Sequence, residues 1–582
     1  MAIKKIGDTD KKKLLDYLDD ELRRAKRNVY DPLQKKFDSL DDSYYGVTKP
    51  RRRKWMSNFP ILMGATFADA VRARLMNTLT AYKPTWTTKP TRDSDWAEVA
   101  KAVEDLLDYK VQTEMRLYQA MGRTLFDVTR LGIGALLTPW VTRTERVASR
   151  SFLFGRTTYR EVPTFDGIRC QHLPIRDLIY PGGYDNLDDL PWWSRKMRWT
   201  DMDLDIQKLR KYYEGTDVVK KFKEAADEET RKAAERSSEE TGEDLRALGH
   251  EFWFKYRFSK TGDYQRYVAT VHLPSRTLMR LEEDTYPRWP LTLLRYGARN
   301  SGLSGLGIVE MVLPYDNALW ALYNLLVDNY NIATMQCLKG AKGRGLTSKT
   351  QVYPGKLFLL DNPQTDLLSF PLGQPFALNP AFTRMVWELG ERRAGISDYA
   401  LGRESSVAGG RATATGTLAL IQEGQRRIDL VIRDIRESMD DLGMFVLQMM
   451  HDRLPRRVPY MVLGERGAWV QQFLDLPSSA PQLSLRLISN FSNIATNKET
   501  EKQDALATFQ LLERYYTSMI QLTGLIQQTQ DPLRSVLIKI AQAAAEKVRK
   551  VLTTYGEMSP ETYADVMTPI TGPTRTPPPV EE

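Results

Sequence analysis

Cysteine and histidine are scarce in this chain of 582 residues, which has two of the first and four of the second. Cys170 and Cys337 lie far apart; they make no disulfide framework and fit a reducing interior such as a cytoplasm. None of His172, His250, His272 and His451 pairs at i,i+4 or falls in a Cys/His cluster, so no zinc-site spacing is present. His250-Glu251 lacks the second histidine of a metalloprotease helix. Long apolar runs are missing as well. Runs such as Phe445 to Met450, interrupted by Gln448, fall far short of the roughly 20 residues that span a bilayer. The basic N-terminus (Lys4, Lys5, Lys11, Lys12, Lys13) is followed by no apolar stretch, so no signal peptide is expected. Strong charge imbalance is also absent. With 83 basic and 74 acidic residues the net charge is +9, compatible with a polyanionic partner but well short of a histone-like signal.

Catalytic patterns fail in the same way. Gly340 to Thr347 (GAKGRGLT) resembles a phosphate loop, but Leu346 stands where the lysine belongs and no apolar strand delivers it; a flexible basic loop is the better reading. Paired carboxylates (Asp41-Asp42, Asp188-Asp189, Glu282-Glu283-Asp284, Asp440-Asp441) are as frequent as the acid content dictates, and solvated faces explain them. No zinc finger, RNP-like signature or compact helix-turn-helix is found. Any contact with nucleic acid would therefore rest on charge and shape.

What is present is an ordered series of elements in an α+β, mostly helical chain, long enough for about three or four packing units. Asp10 can cap a helix carrying Leu14, Leu15, Leu18 and Leu22 on one face. Helices are expected from Trp55 to Tyr82 and from Asp95 to Leu131, the second broken near Gly122. From Ala135 to Tyr296 strands take over: Leu136 to Val141, Ser151 to Val162, Trp192 to Trp199, Phe252 to Phe258, Tyr264 to His272 and Leu278 to Leu281. The charge-dense stretch 214–251 reads as a solvated helix or mobile insertion. Pro314 to Asn331 is a helix whose polar positions Asp316, Asn317, Asn324, Asp328 and Asn331 share one stripe. Gln336 to Leu360 has five bases (Lys339, Lys342, Arg344, Lys349, Lys356) and no acid. A helix follows from Asn379 to Arg393, then a Gly- and Ser-containing loop, Ala400 to Gly410. Next is a helix of about 60 Å, Arg411 to Arg453, with possible bends at Gly416, Gly424 and Gly443. Val458 to Leu463 and Leu483 to Ile488 look like strands. Two more helices precede a Pro- and Thr-rich tail, 568–582, that reads as disordered.

This order resembles the portal (head-to-tail connector) proteins of tailed bacteriophages over most of the chain. Gly305-Leu306-Gly307-Ile308-Val309-Glu310 with the helix to Asn331 looks like the first stem helix (305–331). Residues 332–378 sit where the clip belongs, and Asn379 to Tyr399, ending in Gly395-Ile396-Ser397-Asp398-Tyr399, looks like the second stem helix. The tunnel loop would be 400–410, and Arg411-Ala412-Thr413-Ala414-Thr415 resembles the start of the long helix, with C-terminal wing strands to 495. Residues 1–304 would form the N-terminal wing part and 496–567 a helical crown. Asp127 to Trp140, Leu173-Pro174 to Thr200 and Pro290 to Tyr296 add to the resemblance.

The resemblance implies a ring, a dodecamer in that family, with no catalytic activity and no cofactor. It would sit at one capsid vertex in the virion, after assembly in the host cytoplasm, and pass double-stranded DNA without reading sequence. Its implied partners are the large terminase, capsid and scaffolding proteins and a tail adaptor, with no membrane. Lys339, Lys342, Arg344, Lys349 and Lys356 would form a docking surface for motor or adaptor. Arg403, Ser405, Ser406 and Arg411 would face DNA. The competing readings are a terminase-like packaging ATPase or nuclease, or another ring-forming head-tail component. A helix apolar over most of its circumference must be buried, and identical neighbours in a closed ring provide that burial.

Overall fold

The structure, a computed structural model, describes residues 6–47, 56–80, 84–90, 96–150, 157–222, 246–258, 262–334, 337–340, 364, 367–370, 380–396, 414–477 and 485–489, with single helical positions at 510, 514 and 517. Residues 1–492 form one compact unit and 493–582 a second; the description below concerns the first. The chain is mixed α+β, with several small sheets. The expected crown and tail, most of the charged stretch 214–251 and the loop Ala400 to Gly410 lie outside the described residues.

Helix α1 (Asp8–Ala25) starts two residues before the expected Asp10 and is preceded by Gly7, without a side-chain cap. Its Leu14, Leu15, Leu18 and Leu22 are buried on one face of a five-stranded sheet. That sheet runs in the order β10 (Thr277–Glu283), β9 (Gln265–His272), β8 (Ala247–Tyr256), β7 (Trp192–Trp199), β6 (Leu178–Ile179), all antiparallel. Side chains on a strand alternate between faces, and the aromatic residues follow suit. Trp192, Phe252 and Phe254 pack towards α1. Trp193 and Trp253, stacked at 5.5 Å with rings 3° apart, pack on the other side with α2 (Asp31–Tyr45) and a three-stranded sheet. The latter has the order β11 (Leu291–Arg295), β2 (Ile133–Leu137), β5 (Gln171–Leu173). Leu136 to Val141 is thus not one strand: Thr138-Pro139 separates β2 from β3 (Trp140–Arg150), which pairs with β4 (Thr157–Ile168) as a ribbon.

The largest core gathers α3 (Met63–Thr80), α4 (Ala97–Lys110), α5 (Leu117–Leu131) and α10 (Ala414–Arg453). Met439, Met449 and Met450 are packing residues there. Three expectations change. α3 begins at Met63, not Trp55, because residues 57–61 run extended along another helix. The break in the 95–131 helix is at Arg116, which is left-handed (φ 54) after one π-helical turn, Val111–Met115, while Gly122 lies inside α5. Val458–Leu463 is a helix (α11) with Pro in its first turn, followed by α12 (Gly467–Leu474). Proline suits that position because its missing N–H would be unpaired there anyway. Gly443 makes room for Trp86, whose indole N–H donates to the Met439 carbonyl at 3.1 Å.

The paired acids are not uniformly solvated faces either. Asp41 is buried against Arg176 (2.7 Å) and Arg130 (3.2 Å), and Glu282 against Arg280. Glu251, at one end of the charged stretch, lies inside the five-stranded sheet.

Candidate interface on the two-helix stalk

Two helices pack against each other: α8 (Ile308–Thr334), about 40 Å at 1.5 Å per residue, and α9 (Pro380–Ala394). Beyond them a two-stranded pair joins Cys337–Gly340 to Leu367–Phe370 (β12 and β13). Pro314 sits seven residues into α8, so the helix begins a turn and a half before the expected Pro314.

The head of α8 is fixed by glycine. Gly132, at φ 90, ends α5, and a Cβ there would meet the Gly307 nitrogen at 2.5 Å and the Gly305 oxygen at 2.7 Å. Only residues without a side chain allow two backbones to approach so closely. An ion cluster braces the joint: Glu310 accepts from Arg299 at 2.6 and 2.7 Å and from Lys36 at 2.6 Å.

α8 is oriented by its polar side chains. Three of the five positions of its polar stripe point into the chain, while Asn317 and Asn331 are exposed. Asp316, Asn324 and Asp328 are buried and serve the backbone of residues 57–63. Asp316 accepts from Ser43 Oγ at 2.8 Å and from Met63 N–H at 3.3 Å. Asn324 accepts from Phe59 N–H at 2.7 Å and donates to the Phe59 carbonyl at 3.0 Å. Asp328 accepts from Ser57 N–H, and Ser57 Oγ donates to the Asn324 carbonyl. A segment without ladder partners thus has its backbone groups satisfied by one side of a helix, as buried peptide groups require.

The other apolar positions divide. Val312, Leu319, Leu322 and Tyr315 pack with Val386, Trp387 and Ala394 of α9 in the main core. Leu325 is 61% exposed and Tyr330 52%; Tyr323, Ile332 and, on α9, Phe382, Met385 and Leu389 are also exposed. Phe382, Met385 and Leu389 recur at i, i+3 and i+7, one face of a helix. Phe59, edge-on to Tyr323 at 6.3 Å, and Leu62 extend the surface. Burying such side chains is worth about 1–2 kcal/mol apiece.

Of the basic positions, Lys339 lies in β12, opposite Leu368. Lys342, Arg344, Lys349 and Lys356 lie outside the described residues, as do Arg403, Ser405, Ser406 and Arg411. The aromatic apolar surface on α8 and α9 was not singled out from sequence, although the i, i+4 spacing of Asp316, Trp320, Asn324 and Asp328 marks one face.

Elsewhere, a polar cavity of about 160 Å³ lies between residues 185–188, Arg288, β11 and Ser438 and Asp441 of α10. Burial pushes the Arg288 guanidinium down and the Asp441 carboxyl up. Neither histidine nor cysteine lines it beside Ser438. Among the described residues no group of three His, Cys, Asp or Glu side chains stands close enough to hold a metal, and no helix is long and apolar enough to cross a membrane.

No family model matches this chain, and no curated protein matches it.

Proposed function

We propose that this chain is one subunit of a bacteriophage portal, a ring at one capsid vertex through which double-stranded DNA is packaged and ejected. The observation that carries the reading is the inverted stalk helix. A helix that spends Asp316, Asn324 and Asp328 on its own chain and leaves Leu325, Tyr330 and Ile332 exposed is incomplete alone. Identical neighbours, each offering the α9 row Phe382, Met385 and Leu389, complete it. Head-to-tail contacts of this kind form a ring where the rotation between neighbours closes.

The sequence order of helix, acid-free basic segment, helix, Gly- and Ser-containing loop and long helix supports the same reading. In it the bore admits a duplex by shape and charge, without base contacts. Residues 336–360 dock first the large terminase and then the tail adaptor, while capsid and scaffolding proteins hold the wing. The protein acts without a cofactor and is not an enzyme. A dodecamer is the expected ring.

Negative-stain images of the purified protein test this directly. Rings with a central hole are expected, and a stable monomer would overturn the proposal. The variant Leu325→Asp with Leu389→Asp should lose rings completely while keeping wild-type circular dichroism, because neither side chain is in the monomer core.

A further inference from the structure

The β3–β4 ribbon has no part in the stalk. Its strands hold eleven and twelve residues, about 35 Å at 3.3 Å per residue. Among the described residues no third strand pairs with either. An isolated two-stranded hairpin is marginal in water; this one is tied to the body at its base, where Ile168 enters the main core and Trp140 N–H donates to the Tyr286 hydroxyl at 3.0 Å, and it is exposed from Thr142 to Glu145.

At the base of the ribbon three arginines converge. Arg116 precedes α5, Arg143 lies on β3 and Arg169 follows β4. The Cys170 N–H donates to the Met115 carbonyl at 2.9 Å, and Arg169 N–H to that of Pro139 at 3.1 Å. These bonds bring residue 169 beside 116. The Arg169 guanidinium is 5.8 Å from the Phe165 ring centre, and Phe165 is the cross-strand partner of Arg143.

Among the described residues none of the three has an ion-pair partner. Nearby acids are otherwise engaged: Glu114 accepts from Lys110 at 2.6 and 2.7 Å, and Asp166 from Trp140 Nε1 and Thr142 Oγ1, both at 2.8 Å. Glu145, exposed two residues beyond Arg143, is the remaining acid on that stretch of β3. Burial, with Arg116 and Arg143 adding to it, pushes Arg169 below the usual arginine range. Arg116 also holds a left-handed backbone, which costs a non-glycine residue about 1 kcal/mol. Like charges and strain gathered at one place oppose folding, and such costs concentrate where a molecule binds something.

We propose that the ribbon, with Arg116, Arg143 and Arg169 at its base, binds the phosphate backbone of duplex nucleic acid. A two-stranded β-ribbon has the width that a B-form major groove admits. Residues 140–169 contain six arginines, three acids and no lysine, and the guanidinium fork matches phosphate oxygens in pairs. An acidic protein segment would also be attracted to the arginines, but it gives no reason for the ribbon's shape. The site belongs to a single chain and does not depend on the ring.

The test measures affinity of the full chain for a short labelled duplex of mixed sequence across a salt series. Each lost phosphate contact makes the log–log slope shallower by about 0.9. Arg116→Gly with Arg143→Gln and Arg169→Gln should therefore flatten it by about 2.7 without lowering thermal stability. Arg143→Gln alone, at an exposed position with no ion pair to lose, should flatten it by about 0.9 and guards against a misfolded triple variant. An unchanged slope in the single variant overturns the proposal. So does polyglutamate of matched charge binding as tightly as the duplex with the same dependence on these arginines. Ring images of the variants are a separate readout, so failure here leaves the portal reading untouched.

Discussion

In the five-stranded sheet both faces of the inner strands are covered by the chain itself. α1 lies on one side, and α2 with the three-stranded sheet on the other. Charges inside it are paired: Glu251, 4% exposed, accepts from Arg195 at 2.6 Å and lies 3.7 Å from Arg280, which stacks over Tyr212. In the stalk the arrangement is reversed. Asp316, Asn324 and Asp328 turn inward to residues 57–63, and large apolar side chains face outwards. What separates the two regions is whether the apolar face has a partner in the same chain.

The comparison can be broken most forcefully at Glu251. Despite burial, Arg195 and Arg280 hold its carboxyl below the usual range. Its folded-state pKa is then lower than its unfolded one, so its stabilisation is complete above the ordinary glutamate range and is lost as pH falls through the folded value. Glu251→Gln should cost about 3–5 kcal/mol near neutrality, since two cations lose their buried partner. In denaturant titrations the gap to wild type should close below about pH 4. A gap independent of pH would show that the glutamate acts through packing alone.

A smaller loss is expected at the joint between the two regions. Gly132→Ala would place a methyl against the backbone of Gly305 and Gly307 in a left-handed conformation, costing about 2–4 kcal/mol from strain and overpacking. Hydrogen exchange should show faster opening of residues 308–312 than in wild type. The mildest effect should come from the stalk. Asn324→Ala removes the two side-chain bonds to Phe59, worth about 1–3 kcal/mol, and should speed exchange of the Phe59 amide with little change in the melting of the sheet. Loss of global stability as large as that of Glu251→Gln would mean that the stalk is as integral to the monomer as the sheet.

The sheet was legible in the sequence because period-two patterning is local. Trp192-Trp193 and Phe252-Trp253-Phe254 announce strands buried on both faces. Val458 to Leu463 misled, because a six-residue apolar run fits a strand or a short helix equally; its proline and Gly464 were the better guides. The break at Arg116 bears no glycine or proline and so no mark. The pairing of Asp41 with Arg176, 135 residues away, cannot be read from spacing. The polar stripe of α8 was visible, but its inward direction depends on residues 57–63, more than 250 positions earlier.

The short pair β1 (Trp86–Pro90) and β14 (Leu485–Ser489) has a consequence for how the molecule is made. It joins positions about 400 residues apart, and closing such a loop costs about 5 kcal/mol of chain entropy. At about 5–20 residues per second of synthesis, Trp86 must wait roughly 20–80 s for both β14 and the Met439 carbonyl to emerge. During that interval α3 and α4 present an open apolar surface to the ribosome's surroundings. The order of synthesis therefore leaves this half of the core open until its C-terminal partners have emerged.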